Sequence, residues 1–168
     1  MVDETKKINT QDLKKIEIVN GRINYICLRQ KCPNSCCGPF GGVQRGIDSI
    51  EGRSFAEIVL TTEDYRRLLD AGCAHLIERD SNGECHMRLL EDGSCMAFED
   101  GKCSINDYKP TLCRAFPFYV DMFVGLCGII SCPGFGRGWT LLSQLNPEIE
   151  ATLKLYNFWI RRIKPSEA

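Results

Sequence analysis

One cysteine-rich loop organises this chain, and it reads Cys27-Leu28-Arg29-Gln30-Lys31-Cys32-Pro33-Asn34-Ser35-Cys36-Cys37-Gly38-Pro39-Phe40-Gly41-Gly42. Proline and glycine favour turns here, and the loop up to Gly46 has too few apolar side chains to form a core of its own. Thiolates on turns allow the backbone to curl around a metal, and the bound metal then stabilises the loop. The loop therefore predicts a fold that depends on metal ligation.

The composition supports metal binding over disulfide formation. The chain of 168 residues has 11 cysteines, only two histidines and a formal net charge of -1. A chain of this length can bury an ordinary core without crosslinks. Cytosolic thiols stay reduced, so a dense set of cysteines there indicates metal binding or catalysis. The odd number of cysteines agrees, and the alternative is a disulfide framework in a secreted protein whose signal is missing from the sequence.

The sequence also predicts where the protein resides and which partners it lacks. The N-terminal residues carry acids and lysines with no apolar segment after them, so they are not a secretory signal. The most apolar stretch, residues 116–130, contains Pro117 and Asp121 and is too short to span a membrane. The small net charge favours neither nucleic acid nor an anionic membrane as a partner. We therefore expect a cytoplasmic protein.

Several short elements are predicted around the cysteines. A threonine cap in Thr61-Thr62 and a closing Gly72 frame a short helix with acids in its first turn. Two Glu-Asp-Gly turns, at 91–93 and 99–101, predict consecutive hairpins between residues 84 and 105. Pro110 fits the first turn of a helix that carries Cys113 and Arg114. Residues 122–130 could form a strand or a helix, since periodicity does not separate the two.

The C-terminal region predicts an amphipathic helix that opens at Pro147. Its apolar stripe indicates core packing and consists of Ile149, Leu153, Tyr156, Ile160 and Ile163. We therefore expect a single α+β domain over residues 1–168, with short helices and a small antiparallel hairpin region around a metal centre. Residues 23–135 would form the cysteine-cluster core, and residues 138–164 a C-terminal helical segment.

Nine cysteines are candidate metal ligands because they fall on turns or at element boundaries: Cys27, Cys32, Cys36, Cys37, Cys95, Cys103, Cys113, Cys127 and Cys132. Cys73 and Cys85 stand apart and are expected to be small buried side chains. All-thiolate ligation selects iron in clusters, or zinc. The side chains of neighbouring Cys36 and Cys37 diverge in an extended chain, so they suit two irons of one cluster or two separate centres.

The chain resembles the YkgJ-type cysteine-cluster family, which is known for a CxxCxxCC motif and is described as a zinc- or iron-chelating domain. The similarity runs from about Cys27 to Cys132. Residues 32–37 resemble the double-cysteine signature, residues 59–64 the segment after it, and Cys113-Arg114-Ala115-Phe116-Pro117 the Cys-Arg-x-Phe-Pro element. The spacing departs from the motif, with four residues between Cys27 and Cys32 and three between Cys32 and Cys36. Which thiolates share a metal stays open.

Three functional classes are compatible with these residues. The first is a redox or cofactor role for one or two iron–sulfur clusters, expected to be of the 4Fe-4S type, with an unknown protein or redox partner. The second is structural zinc in an interaction module, and the third is metal delivery or redox sensing by exposed thiolates. The resemblance adds an iron–sulfur-dependent protein-modifying enzyme, because flagellin lysine N-methylase is a distant relative. No glycine-rich nucleotide loop supports that activity here.

Arg114 is a candidate supporting residue because it directly follows a candidate ligand, Cys113. Its guanidinium is expected to donate hydrogen bonds to cluster sulfur or to neutralise a thiolate-rich site, which would tune the potential of the centre. The alternative is a structural ion pair beside Phe116 and Pro117. No catalytic residue is indicated.

Overall fold

The structure is a computed structural model that describes residues 13–31, 58–130 and 132–163. Within these ranges the chain is mixed α+β, as predicted. Its helices are α1 (Thr62–Asp70), α2 (Thr111–Ala115) and α3 (Asn146–Ile163). Its strands are β1 (Leu13–Lys15), β2 (Arg22–Tyr25), β3 (Ile77–Arg79), β4 (Cys85–Met87), β5 (Phe98–Glu99), β6 (Lys102–Cys103), β7 (Phe118–Asp121), β8 (Gly125–Ile129) and β9 (Phe135–Leu141).

The strands form small antiparallel sheets. One sheet has three strands in the order β1-β8-β7, and three further pairs are β2-β9, β3-β4 and β5-β6. The β2-β9 pair joins the N-terminal part of the chain to residues more than one hundred positions later, and the hydroxyl of Thr140 donates to the carbonyl of Tyr25 across it. This long-range pairing brings the residues that follow β2 next to the residues that precede β9.

The first hydrophobic core lies around α1 and the β3-β4 pair. Leu68 and Met87 are almost completely buried, and Leu60, Leu76 and Ile105 pack with them. Burial of such side chains contributes roughly 1.5–3 kcal/mol each. Five of the cysteines in the described ranges take part in this core, either within it or packed against it: Cys73, Cys85, Cys95, Cys103 and Cys113.

The second core is aromatic and lies between the sheets and the start of α3. The rings of Tyr25, Phe118 and Phe135 pack with centroid distances of 5.0 to 6.2 Å. Gly128 in β8 faces the Phe135 ring so closely that a Cβ at this position would overlap it. Glycine at 128 therefore allows the aromatic ring to lie directly on the sheet.

The predicted α1 is confirmed together with its capping. The hydroxyl of Thr61 accepts the N–H of Asp64, and the carboxylate of Asp64 accepts the N–H of Thr61, each at 3.1 Å. This reciprocal arrangement satisfies donors that an uncapped helix start would leave unpaired. Gly72, with a positive φ of 74°, follows the helix end as its sequence predicted.

The hairpin region follows the prediction in part. Asp100 and Gly101 form the turn between β5 and β6. The turn at residues 91–93 closes only a single bridge between Leu89 and Cys95. The strand β4 pairs with the preceding strand β3 in an antiparallel hairpin. Its turn at residues 80–83 was not predicted from the sequence. Residues 125–129, for which periodicity allowed a strand or a helix, form the strand β8.

The C-terminal helix begins later than the predicted segment. Residues 138–141 belong to the strand β9, and α3 starts at Asn146. Its buried face also differs, because Leu153 is 49% exposed whereas Ala151 and Thr152 are buried. The small Ala151 and Thr152 side chains form this buried face of α3, which packs against α2. The apolar stripe alone did not reveal this face, because alanine and threonine are weak hydrophobic signals. None of the helices in the described ranges is long and apolar enough to cross a membrane.

Candidate metal centre

Cys27 and Cys132 are brought to the same end of the β2-β9 ribbon. The register pairs Tyr25 with Phe135, and the N–H of Ile26 donates to the carbonyl of Gly134 at 3.0 Å. Cys27 is the next residue after Ile26, and Cys132 lies two residues before Gly134. Because the strands run antiparallel, these cysteines leave the ribbon side by side.

The backbone around Cys132 is held in two consecutive turns. Its N–H donates to the carbonyl of Ile129 at 3.0 Å, and its own carbonyl accepts the N–H of Phe135 at 3.2 Å. The Cys132 side chain is half-buried against the aromatic core, whereas Cys27 is exposed. The two thiols therefore differ in solvent access although they belong to the same end of the ribbon.

Gly134 allows this close approach. A Cβ at position 134 would lie 2.8 Å from Cε2 of Tyr25 and would also overlap the carbonyl of Ile26. Real Cβ atoms do not approach other atoms so closely, so a larger residue would push β9 away from the end of β2. The glycine after Cys132-Pro133 is thus a positioning residue for the Cys132 backbone, which the sequence analysis did not identify.

The loop with the remaining clustered cysteines leaves from the same place. A 3-10 turn at Arg29–Lys31 follows Cys27, and the N–H of Lys31 donates to the carbonyl of Leu28 at 3.0 Å. Predicted ligands Cys32, Cys36 and Cys37 themselves lie outside the described residues.

Cys95, Cys103 and Cys113 belong to the first core rather than to the ribbon end. Cys95 is buried, and Cys103 and Cys113 are partly buried against the same apolar side chains. Burial raises the pKa of the Cys95 thiol, and the charge of a Cys103 thiolate would act in the same direction, against a lowering backbone hydrogen bond at Ala97. Cys95 and Cys103 thus both belong to the first core, Cys95 within it and Cys103 packed against it.

Cys127 lies in the middle of the three-stranded sheet. Its register partners are Lys15 in β1 and Tyr119 in β7. Successive side chains of a strand alternate in direction, so Cys127 points away from the face on which Gly128 meets the aromatic core. Burial raises the pKa of the Cys127 thiol, and the Asp121 charge adds to this effect. Cys127 and Cys132, which the sequence grouped, are therefore in different environments.

Among the described cysteines, no disulfide joins Cys27, Cys73, Cys85, Cys95, Cys103 or Cys127. The thiol of Cys73 donates to the carbonyl of Ala71, and both Cys73 and Cys85 are partly rather than fully buried. In the part of the chain that the structure describes, no three His, Cys, Asp or Glu side chains converge as a group that could hold a metal ion.

Arg114 has backbone partners. Its Nε donates to the carbonyl of Lys109, and one Nη donates to the carbonyl of Asp107, each at 3.1 Å. The guanidinium therefore ties the loop before α2 to the helix itself. The prediction that Arg114 contacts a cluster sulfur stays a prediction, and the structure adds this loop-bracing role.

The helix α2, which carries Cys113, is anchored by a buried carboxylate. Asp64 is completely buried and accepts hydrogen bonds from the N–H and hydroxyl of Thr111 and from the Arg67 guanidinium. Arg67 in turn donates to the carbonyl of Lys109. Sequence reasoning identified the acids after Thr61 only as first-turn residues, because a contact between residues 47 positions apart has no local signal.

Comparisons with protein-family models, with curated proteins and with solved structures gave no significant match. The antiparallel pairing places Cys27 and Cys132 at the same end of the β2-β9 ribbon, next to the start of the cysteine-rich loop. Thiols in such a position are the soft donor set that iron–sulfur clusters and zinc select.

Proposed function

We propose that the protein binds a thiolate-ligated metal centre at the end of the β2-β9 ribbon, with an iron–sulfur cluster as the favoured occupant. Cys27 and Cys132 supply two ligands there, and the loop that begins at Cys32 supplies the others. The single observation that carries the proposal is the antiparallel register that brings Cys27 and Cys132 to one end of the ribbon.

The donor set fits this occupant in number and in kind. A 4Fe-4S cluster takes four thiolates. Cys27 and Cys132 together with Cys32, Cys36 and Cys37 provide five cysteines within a short length of chain from the ribbon end. No histidine lies among these residues. When bound, such a cluster supplies one-electron chemistry, which would serve a redox or cofactor role.

The chain's own residues prepare the ribbon end for a metal. Gly134 permits the close approach of the two backbones, and the paired turns at Cys132 fix the direction of its backbone. Cys27 is exposed, so its thiol is accessible to a metal without rearrangement of the core. A ligand set in which two members lie directly beside paired strands loses less conformational freedom on binding than a fully irregular loop.

Zinc is the alternative occupant because four thiolates also suit a tetrahedral ion. In that case the metal would fold the loop, and the protein would be an interaction module. The core cysteines Cys95, Cys103 and Cys113 are a less suitable centre than the ribbon end. They pack among apolar side chains, and burial disfavours the thiolate form of Cys95 that a metal needs.

Protein isolated without oxygen tests the proposal through its absorption and its cysteine variants. We expect a brown protein with broad visible absorption that dithionite bleaches. Cys27→Ser and Cys132→Ser should each reduce this absorption several-fold, whereas Cys73→Ser should leave it unchanged because that thiol bonds a backbone carbonyl in the first core. Equal absorption in all three variants would overturn the proposed location, and a colourless zinc protein would overturn the favoured metal.

A further inference from the structure

The solvent side of the β2-β9 ribbon carries large apolar side chains that remain exposed. Arg22 is the register partner of Leu141, and Asn24 is the partner of Trp139. Directly opposite residues of an antiparallel pair project to the same side, and Ile23, at the alternate position, is buried on the other side. Trp139 is 49% exposed and Leu141 is 41% exposed. The ribbon therefore presents a partly apolar side to solvent.

Two further exposed residues extend this side toward both ends of the ribbon. Val19 and Arg22 exchange two backbone hydrogen bonds of 2.9 Å, so Val19 lies in the same row as Arg22. At the other end, the side chain of Ile26 lies so close to Gly138 that a Cβ on this glycine would overlap it, which places Ile26 beside Trp139. We call this surface the ribbon face, and it consists of Val19, Arg22, Asn24, Ile26, Trp139 and Leu141.

Charge is unevenly divided between this part of the chain and the rest. Residues 13–31 and 132–145, which contain β1, β2 and β9, hold six basic residues and one acid, Glu17. That acid follows β1 on the three-stranded sheet and is not part of the ribbon face. Residues 58–130 hold seven basic residues and twelve acids, and α3 is nearly balanced, with three basic residues and two acids. The charge near zero of the whole chain is therefore the sum of a basic ribbon region and an acidic middle region.

Four exposed cations lie in the ribbon face or next to it in the chain, and no ion pair of the described residues involves them: Arg22, Arg29, Lys31 and Arg137. Arg29 and Lys31 belong to the 3-10 turn that follows Cys27, and Arg137 lies two residues before Trp139. Unpaired cations around an apolar centre attract and orient an acidic protein, and the apolar contacts then supply affinity. The composition of the whole chain gave no sign of this arrangement, because the two regions cancel.

We propose that the ribbon face docks an acidic protein whose contact surface has carboxylates around an apolar centre. Three of the four apolar side chains of the face are aliphatic and offer no ring on which a nucleic-acid base could stack, which favours a protein. Two copies of the face would repel each other through their cations.

The position of the ribbon face beside the proposed metal centre defines the partner further. Cys27 is exposed and directly follows Ile26, so a docked protein would lie next to this thiol. On this point the inference rests on the proposed function, and the partner is then a small acidic one-electron carrier. One electron would pass between its cofactor and the cluster, so that one is oxidised as the other is reduced and no covalent bond changes.

Two one-electron carriers of opposite charge test this proposal: a flavodoxin, which is acidic, and a cytochrome c, which is basic. Each is titrated by calorimetry into the full chain isolated without oxygen. We expect micromolar flavodoxin binding at about 0.01 M ionic strength and at least about tenfold weaker binding at about 0.15 M, because the Debye length falls from about 30 to about 8 Å. The cytochrome should not bind. Equal affinity for both carriers, or no flavodoxin binding at the lower ionic strength, would overturn the proposal.

Two matched pairs of variants locate the surface. Arg22→Glu should weaken flavodoxin binding several-fold, whereas Arg66→Glu on α1 makes the same change in net charge away from the ribbon face and should not. Trp139→Ala should also weaken binding several-fold, whereas Phe123→Ala removes an exposed ring at the tip between β7 and β8 and should not. Equal losses within either pair would contradict the ribbon face as the docking surface.

Iron and sulfide analysis of the same samples separates this inference from the metal centre. Flavodoxin binding by protein without metal would support the docking surface and contradict the metal centre, whereas metal without binding would overturn the docking surface alone. Tighter binding of a single-stranded thymidine oligonucleotide than of flavodoxin, lost in Trp139→Ala, would make the occupant a nucleic acid and overturn the proposal. A concentration-dependent dimer lost in the same variant would overturn it in favour of a second copy.

Discussion

The carboxylate of Asp64 accepts two hydrogen bonds from Thr111, one from its backbone N–H at 3.0 Å and one from its hydroxyl at 2.8 Å. Asp64 lies in the first turn of α1, and Thr111 begins α2. One buried side chain thus caps its own helix and fixes the start of another. The position of Cys113 and Arg114 depends on this contact because both lie on α2.

Asp64→Ala should destabilise the protein strongly. The substitution leaves the N–H and hydroxyl of Thr111 without their buried acceptor and takes from Arg67 its carboxylate partner. Removal of one partner from a buried charge pair costs about 3–5 kcal/mol. We expect a loss of this size in the free energy of unfolding measured with urea.

The matched control is Glu63→Ala on the same turn. Glu63 is 66% exposed, and its carboxylate lies as far as 4.0 Å from the Arg67 guanidinium. Its removal should therefore lower the free energy of unfolding by less than about 1 kcal/mol. A double-mutant cycle with Thr111→Val would then measure the coupling to Asp64. Equal effects of the two acidic substitutions would mean that Asp64 does not join the helices as described.

Gly134→Ala should disturb the backbone at the end of the β2-β9 ribbon more than the rest of the fold. The added Cβ would collide with Tyr25 and with the carbonyl of Ile26, so β9 must move away from β2 next to Cys132. We expect several-fold lower metal content in protein isolated without oxygen, measured by elemental analysis. Overpacking of this kind also costs typically 1–3 kcal/mol of stability.

Gly83→Ala is the control for this substitution. Gly83 has a positive φ of 82° and no atom near a Cβ built on it, so the cost is backbone strain of roughly 1 kcal/mol without a collision. Its turn belongs to the β3-β4 pair. Metal content should be unchanged in Gly83→Ala, and a loss as large as that of Gly134→Ala would show that general destabilisation explains both variants.

The elements that the sequence predicted well carry their signals locally. The cap of α1 lies in Thr61 and Asp64, three residues apart, and the turn after β5 contains Asp100 and Gly101. The strand β9 was not predicted, because the glycines at 136 and 138 weaken the strand pattern in the sequence. In the structure both glycines have positive φ. Its existence depends on pairing with β2, far away in the sequence.

The candidate site likewise depends on contacts between residues that are distant in the sequence. Cysteine density predicted which residues to consider, but not that Cys27 and Cys132 lie at the same end of one strand pair while Cys127 lies within a different sheet. That separation follows from strand register and side-chain alternation. The contribution of Gly134 has no signature except its position after Cys132-Pro133. The backbone partners of Arg114 likewise depend on the path of the preceding loop.

Hydrogen bonds from Ser94 should lower the pKa of Asp92. The side chain of Ser94 donates to the Asp92 carboxylate at 2.5 Å, and its backbone N–H donates at 3.0 Å, and both bonds hold the pKa of Asp92 below its ordinary value. A lowered folded-state pKa stabilises the fold above the unfolded pKa, and this contribution is lost as pH falls through the folded pKa.

Ser94→Ala removes only the side-chain bond, so the pKa of Asp92 should rise towards its ordinary value. The carboxyl carbon shift of Asp92, followed by NMR between acidic and neutral pH, measures this directly. An unchanged midpoint in Ser94→Ala would contradict the hydrogen bond as the main cause. Glu91→Gln, beside Asp92, is a control in which the Ser94 bonds remain.

Two phenylalanines near the same hairpin should differ strongly in how much their substitution destabilises the protein. Phe118 is buried against Tyr25 and Phe135, so Phe118→Ala should lower the free energy of unfolding by about 3–5 kcal/mol. Phe123 at the tip between β7 and β8 is 91% exposed, so Phe123→Ala should change the free energy of unfolding by less than about 0.5 kcal/mol. Urea unfolding measures both, and a large loss in Phe123→Ala would show that the tip is covered in solution.

Iron and acid-labile sulfide analysis of the unaltered protein, isolated without oxygen, tests the proposed metal centre most directly. A 4Fe-4S centre predicts about four iron atoms and four sulfides for each centre, with zinc at trace level. Protein that retains its folded structure yet contains neither iron with sulfide nor zinc would contradict metal binding at the ribbon end, and stoichiometric zinc without sulfide would contradict the cluster.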